Sequence, residues 1–378
     1  MKKLIALILA VLILFVGFLG YNQFRIASSE EGLTLEDYSE STTDYDRMFR
    51  EHDPEEIVLR CGERDCTWSE YFYFYYKYAS QVESMIQMMP LYYGTEVSWD
   101  DYYDEAEGIT FAQAPAVLAE EEMRTFAAIE KLAEEQGIRR DGPVADKVNE
   151  IVEEYKRSYQ VETEEELFAA LAEQHVDRKV FDLVIGDNVM AEMLFEELYG
   201  AEGEKLDDGE AVKFLEDNGY VHVMHILLMT MDPGTGETAG QDAAAQKLEL
   251  AESIAEELKA IKDPQEKLAR FSELEQKYNE DGGCEYCFTE GTMVQEFRDA
   301  SVALKEYEVS DPVETAYGYH VILRLPQDGS IEMADSGNTA KYTLANEKFN
   351  EKIMEALEDF EAKYVPGFQI PQIADFVK

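Results

Sequence analysis

The sequence predicts an α+β chain: a small sheet with its helices, inserted in an all-helical domain, behind an N-terminal transmembrane helix. Three observations predict it. Residues 1–20 hold an apolar run from Leu4 to Leu19 after Lys2 and Lys3. Residues 57–218 carry one helical apolar stripe after another. Residues 219–327 open and close on strand-like segments, VHVMHILL from Val221 and YGYHVILRL from Tyr317, with helical segments between them.

The N-terminal run is long enough to serve as a membrane anchor over residues 1–21, with Tyr21 and Phe24 at the interface. A cleaved signal peptide is the other reading; the long apolar region and the lack of an A-x-A site favour the retained anchor. The paired lysines hold the N-terminus in the cytoplasm, so the remainder is expected outside the membrane, or secreted if the segment is cut. The chain has 81 acidic and 33 basic residues, a net charge of −48. That excludes nucleic-acid binding, which needs a basic footprint. It favours basic or unfolded partners on encounter. Residues 22–56 (SSEE, DYSESTTDYD, EHDPEE) are acidic and without apolar period, and read as an extended linker.

From Ile57 two short strands flank a turn at Gly62, and Thr67 with Glu70 forms a capping box. The helix that follows, SEYFYFYYKYASQVESMIQMM, is aromatic on nearly every side and is expected to end before Pro90. It reads as a core helix, the alternative being a cradle for client chains. Further helices are expected over Pro115–Gln136, Pro143–Tyr159, from the Thr163/Glu166 capping box through LFAALAEQH, from Asp177 to Gly200, and over Asp207–Asn218. His52 and His175 read as surface residues.

In the strand at 220–229, Val221, Val223, His225 and Leu227 share one face; His222 points to the other. Two helices follow, then a loop at 279–290, a helix at 293–305 and the last strand at 317–325. Residues 328–378 carry Leu344, Ile353, Leu357, Phe360 and Tyr364 in helical register, a face expected to return to the helical domain. Cys61/Cys66 and Cys284/Cys287 form two local pairs. They are disulfide candidates, with free thiols, a zinc site or redox work as the other readings.

VHVMHILL, the helix ending KYNEDGG, then FTEGTMVQEF and SDPVETAYGYHVILRL stand in the order of a parvulin-type (PpiC-like) peptidyl-prolyl isomerase domain, which this stretch resembles. The surrounding plan is similar to that of extracytoplasmic foldases and periplasmic chaperone-isomerases. The resemblance implies a parvulin-like small antiparallel sheet inserted in a chaperone-like helical domain. It implies catalysis around His225, Asp281 and His320, with Met293, Phe297, Thr315 and Tyr317 at the substrate. It calls for no cofactor and no metal. Its substrates would be unfolded or newly exported polypeptides with X-Pro bonds. Two departures stand out: GGCEYCF places Glu285 where the family has a pocket leucine, and the loop after Asp281 is short. They motivate the alternative of a non-enzymatic holdase that uses the same domain for binding.

Overall fold

The computed structural model describes residues 41–94, 96–232 and 234–378. The expected anchor at 1–21 and most of the linker lie outside them. Among the described residues no helix is long and apolar enough to cross a membrane. The chain divides into two units, one of residues up to Glu197 with Phe349–Lys378, the other Leu198–Lys348.

The first unit begins with α1 (Tyr45–Phe49), β1 (Ile57–Cys61), β2 (Arg64–Thr67) and α2 (Trp68–Tyr93). A hairpin, β3 (Tyr102–Asp104) and β4 (Ile109–Thr110), precedes α3 (Ala114–Glu135), α4 (Pro143–Tyr159), α5 (Glu164–Leu171) and α6 (Arg178–Tyr199). Residues 41–56 are not the extended linker expected of them: Asp44 caps α1, which buries Tyr45 and Met48. Glu83, reaching from α2, accepts hydrogen bonds from Thr42 N at 2.8 Å and Ser41 Oγ at 2.7 Å. α2 is a core helix, with Trp68, Tyr71, Phe72, Phe74 and Tyr75 buried. It runs through Pro90 to Gly94, whose left-handed conformation ends it. A proline in the last turn forfeits only one backbone bond, so it does not stop the helix.

Nor is this unit all-helical. β1 pairs with β2 and with β9 (Ala362–Tyr364) from the far end of the chain, giving the antiparallel order β2-β1-β9. Tyr364 is therefore a strand residue, and the C-terminal helix stops at Glu358. His175 is not a surface residue. Its ring packs against Phe49, Phe72 and Tyr76, with centroids about 5 Å away. His52 is half-buried against Trp68 and Phe368 and holds Glu56 at 2.9 Å.

The second unit holds α7 (Asp208–Asp217), β5 (Val221–Met229), α8 (Gln241–Ala260), α9 (Pro264–Tyr278), β6 (Glu285–Phe288), α10 (Gln295–Ala303), β7 (Val313–Thr315) and β8 (Gly318–Arg324), and then the first part of α11 (Ala340–Glu358). Its sheet is antiparallel, in the order β6-β5-β8-β7. Period-2 alternation sorts the side chains onto two faces. Ile226, Leu228, Val321 and Leu323 meet Ile254, Leu258, Phe271 and Leu274 of α8 and α9. Val221, Val223, Phe288 and Ile322 take the opposite face with Phe297 of α10. Glu285 to Phe288, expected within a loop, are an edge strand instead. Mixed helix and antiparallel sheet is thus the observed class.

Candidate functional site

Register brings the two histidines together. In the β5–β8 ladder His225 stands opposite Ile322 and Leu227 opposite His320, so both imidazoles project from one face of adjacent strands. Their Nδ1 atoms are 3.1 Å apart and the rings lie 17° from parallel. Both are buried. Gly318 makes the start of β8 possible: at φ 147° a Cβ there would sit 2.2 Å from Leu228 O.

Thr315 Oγ1 lies 2.9 Å from His320 Nε2 and is buried behind it, where the sequence placed a hydroxyl. Asp281 Oδ2 is 3.2 Å from His225 Nε2. The contact is an ion-pair approach, and Nε2 is buried without a hydrogen bond. A lone pair at Nε2 would face the carboxylate. The favoured tautomers therefore put the proton there, with Thr315 donating to His320 Nε2 and His320 Nδ1–H donating to His225. Burial holds both imidazoles neutral. It pushes His320 down to about 4, helped by the neighbouring His225 and opposed by Asp281. Burial likewise lowers His225, against the pull of Asp281.

An apolar wall completes the face. The Phe297 ring centroid is 5.3 Å from that of His225 and 5.1 Å from that of His320. Met293 packs against the same cluster, half-buried. Tyr317 is 45 % exposed at the end of β8, its N–H donating to Thr315 Oγ1. All seven candidate residues lie in this unit. The histidine pair links three of them: Asp281 lies against His225, Thr315 against His320, and Phe297 against both.

Glu285 is not in the pocket. It pairs with Met224 across the β5–β6 ladder and so faces away from His225. There its Oε1 sits 2.8 Å from His222 Nε2, and His222 Nδ1 is 2.7 Å from Pro326 O. The neighbour Tyr286, opposite Val223, takes the site face, its ring 5.3 Å from His225. Sequence reasoning missed this residue. It also missed Asn279, whose Oδ1 accepts from Leu227 N at 2.9 Å and whose Nδ2 donates to Gly283 O at 3.0 Å, and Glu280, which accepts from Met229 N. These bonds stitch the short turn to β5. The Asn-Glu-Asp-Gly-Gly composition was the available signal.

All four cysteines are free thiols. Cys284 and Cys287 are three residues apart along an extended segment, which sends them to opposite faces. Cys61 stands opposite Arg64 and Cys66 opposite Leu59, a diagonal rather than a facing pair. The hydrogen bond with the neighbouring Cys61 thiol, and then burial, push the Cys66 thiol far up, which keeps it protonated. Among the described residues no group of three or more His, Cys, Asp or Glu could hold a metal ion.

Residues 225–325 match the family model of the rotamase PPIC-type PPIASE domain. "Foldase protein PrsA" of Halalkalibacterium halodurans is 28% identical over 200 residues, 50% of this chain and 52% of that protein. "Foldase protein PrsA 1" of Bacillus cereus is 37% identical over 116 residues, 25% of this chain and 41% of that protein. The chain thus spans about half the length of these curated relatives. The crystal structure of PrsA from Bacillus subtilis is 20% identical, covering 81% of this chain and 91% of that one, with a TM-score of 0.25. With its histidine pair, hydroxyl and apolar wall on one sheet face, the segment 225–325 is a parvulin-type rotamase domain, carried in a chain similar to the PrsA foldases.

Proposed function

We propose that this protein is a membrane-anchored extracytoplasmic foldase that speeds cis–trans isomerisation of X-Pro bonds in newly exported polypeptides. One observation carries the reading: a buried, neutral histidine pair, with Asp281 at one end and Thr315 at the other, beside the Phe297 wall. The amide barrier of about 18–20 kcal/mol rests on resonance, and an X-Pro bond crosses it unaided in tens to hundreds of seconds. A prolyl ring seated against Phe297 and Met293 would leave water behind, and with it the hydration that favours the planar amide. As the amide twists, resonance is lost and its oxygen and nitrogen call for new partners. His225 Nε2–H, buried and unpaired, is the donor poised to meet one of them. Asp281 sets its tautomer, and Thr315 and His320 hold the ring from behind. No covalent bond forms and no proton need leave the protein.

The apolar segment at 1–21 would anchor the chain, and the first unit would engage unfolded clients, the net charge of −48 favouring basic ones. A holdase without catalysis drew its support from Glu285 and the short loop; Glu285 is paired to His222 on the other face and does not enter the site, and the catalytic reading is preferred. The test is refolding limited by proline isomerisation, with the full chain at catalytic concentration. His225→Ala and Asp281→Ala are each expected to lower the acceleration about tenfold or more, in the range for loss of a preorganised donor. Background rates in the unmutated protein, with suppression of aggregation intact, would return the holdase.

A further inference from the structure

Asp281 is a third exposed, on a turn of two glycines, yet its carboxylate is held at both ends. Oδ1 accepts from Gly282 N at 2.8 Å. Oδ2, the oxygen 3.2 Å from His225 Nε2, accepts from the phenol of Tyr286 at 3.3 Å. The phenol reaches it by folding back over the turn. A Cβ at Gly283 would stand 2.4 Å from the Tyr286 hydroxyl and 3.0 Å from Cζ, so only glycine leaves room there. Asn279 fixes Gly283 in turn through its carbonyl. The Tyr286 ring meanwhile packs on the His225 imidazole, on which Phe297 also packs.

We infer that Tyr286 is a positioning residue of this isomerase, whose phenol holds the Asp281 carboxylate against His225 and so keeps the His225 Nε2 proton aimed at the substrate. The inference rests on the isomerase reading and extends it to a residue outside the sequence-derived site. Without the phenol, Asp281 keeps one backbone donor and can turn to water. Its charge then no longer supports the protonated Nε2, and the tautomer with a bare Nε2 becomes accessible. The groups facing His225 are His320 from β8, Tyr286 from β6, Asp281 from the turn and, farther off, Glu275 from α9. Asp281 is the nearest of them that favours a protonated ring.

The test compares Tyr286→Phe, which keeps the ring and loses the hydroxyl, with Tyr286→Leu, both in the full chain. NMR titration of the His225 ring, assigned among the five histidines by its absence in His225→Gln, reads the hold directly. In Tyr286→Phe the His225 midpoint is expected to fall by about half a pH unit as the Asp281 charge moves off. On an X-Pro peptide kcat/KM is expected to fall about fivefold to tenfold, the scale of one ordinary hydrogen bond. In an Asp281→Asn background the same substitution should change neither quantity further. An unmoved His225 midpoint in Tyr286→Phe, or an undiminished effect in the Asp281→Asn background, overturns the inference. Absence of catalysis in the unmutated chain would sink the isomerase reading, while the titration still upholds or overturns the hold of Tyr286 on Asp281.

Discussion

His320 is buried beside a second imidazole, and both conditions oppose its charged form. Its pKa is pushed down to about 4 in the folded chain, against about 6.5 when unfolded. Between these values the unfolded chain binds the extra proton, so stability rises with pH across the window and is lost as pH falls through it. The two and a half units correspond to about 3 kcal/mol. Carboxylates titrate in the lower half of this range, so the readout is a difference between proteins. Urea melts at pH 6.5 and 5 should show His320→Asn losing less stability than the unmutated protein. Equal losses would mean that His320 carries its proton in the fold. The same residue was legible in the sequence, because it lies in a strand-like segment at the histidine of a motif the chain resembles. Tyr286 was not. It sits after a turn of altered length, and a slip of one residue there exchanges the two faces, which is how Glu285 came to be placed in the pocket.

Elements with local signals were readable, and those made by distant pairing were not. The Thr163/Glu166 box caps α5 in both directions, and Glu70 accepts from Thr67 N at 2.7 Å at the start of α2. Three-residue β9 exists only because β1 lies beside it, about three hundred residues earlier in the chain. The packing of α6 rests on a feature equally hidden from the sequence. Asp187, fully buried in that helix, meets Arg64 at the start of β2 and Arg140 ahead of α4, and Glu130 of α3 also binds both arginines. Gly186 leaves space for the Arg140 guanidinium, since a Cβ would be 3.1 Å from it. Removing the acid leaves the two partly buried cations with Glu130 as their remaining partner, a loss of about 1.5–3 kcal/mol for Asp187→Ala. Asp187→Asn, which keeps hydrogen-bonding capacity, should cost less. Chemical denaturation near neutral pH measures both, and a loss below about 1 kcal/mol for the alanine variant would show the cluster to be incidental.

At the scale of the whole chain, the second unit is larger than the family match within it. The sequence put its limits at 219–327, where the strands and motifs end. The unit observed is Leu198–Lys348, and the added pieces are structural. Helix α7 and the segment after β8 cover the sheet face that carries Cys287. Ala211, Leu215, Met333 and Ala340 bury that thiol, and Ala334 N donates to Cys287 O at 2.7 Å. Tyr220 Oη donates to Asp335 at 2.7 Å, and Lys348 pairs with Glu210 at 3.2 Å. None of these residues has an alternating pattern or motif that would mark it as part of the sheet's cover, so the limits could not be read in advance. A fragment of 198–348 should therefore fold cooperatively with its histidine pair intact. A fragment of 219–327 exposes Cys287 and loses the cover that Leu215 and Met333 provide. At about 1.5–3 kcal/mol for each large apolar side chain, it should be less stable by about 3–5 kcal/mol. Urea melts of the two fragments decide the matter: equal midpoints and slopes would show that the added helix and strap contribute nothing, and that the family match alone marks the folding unit.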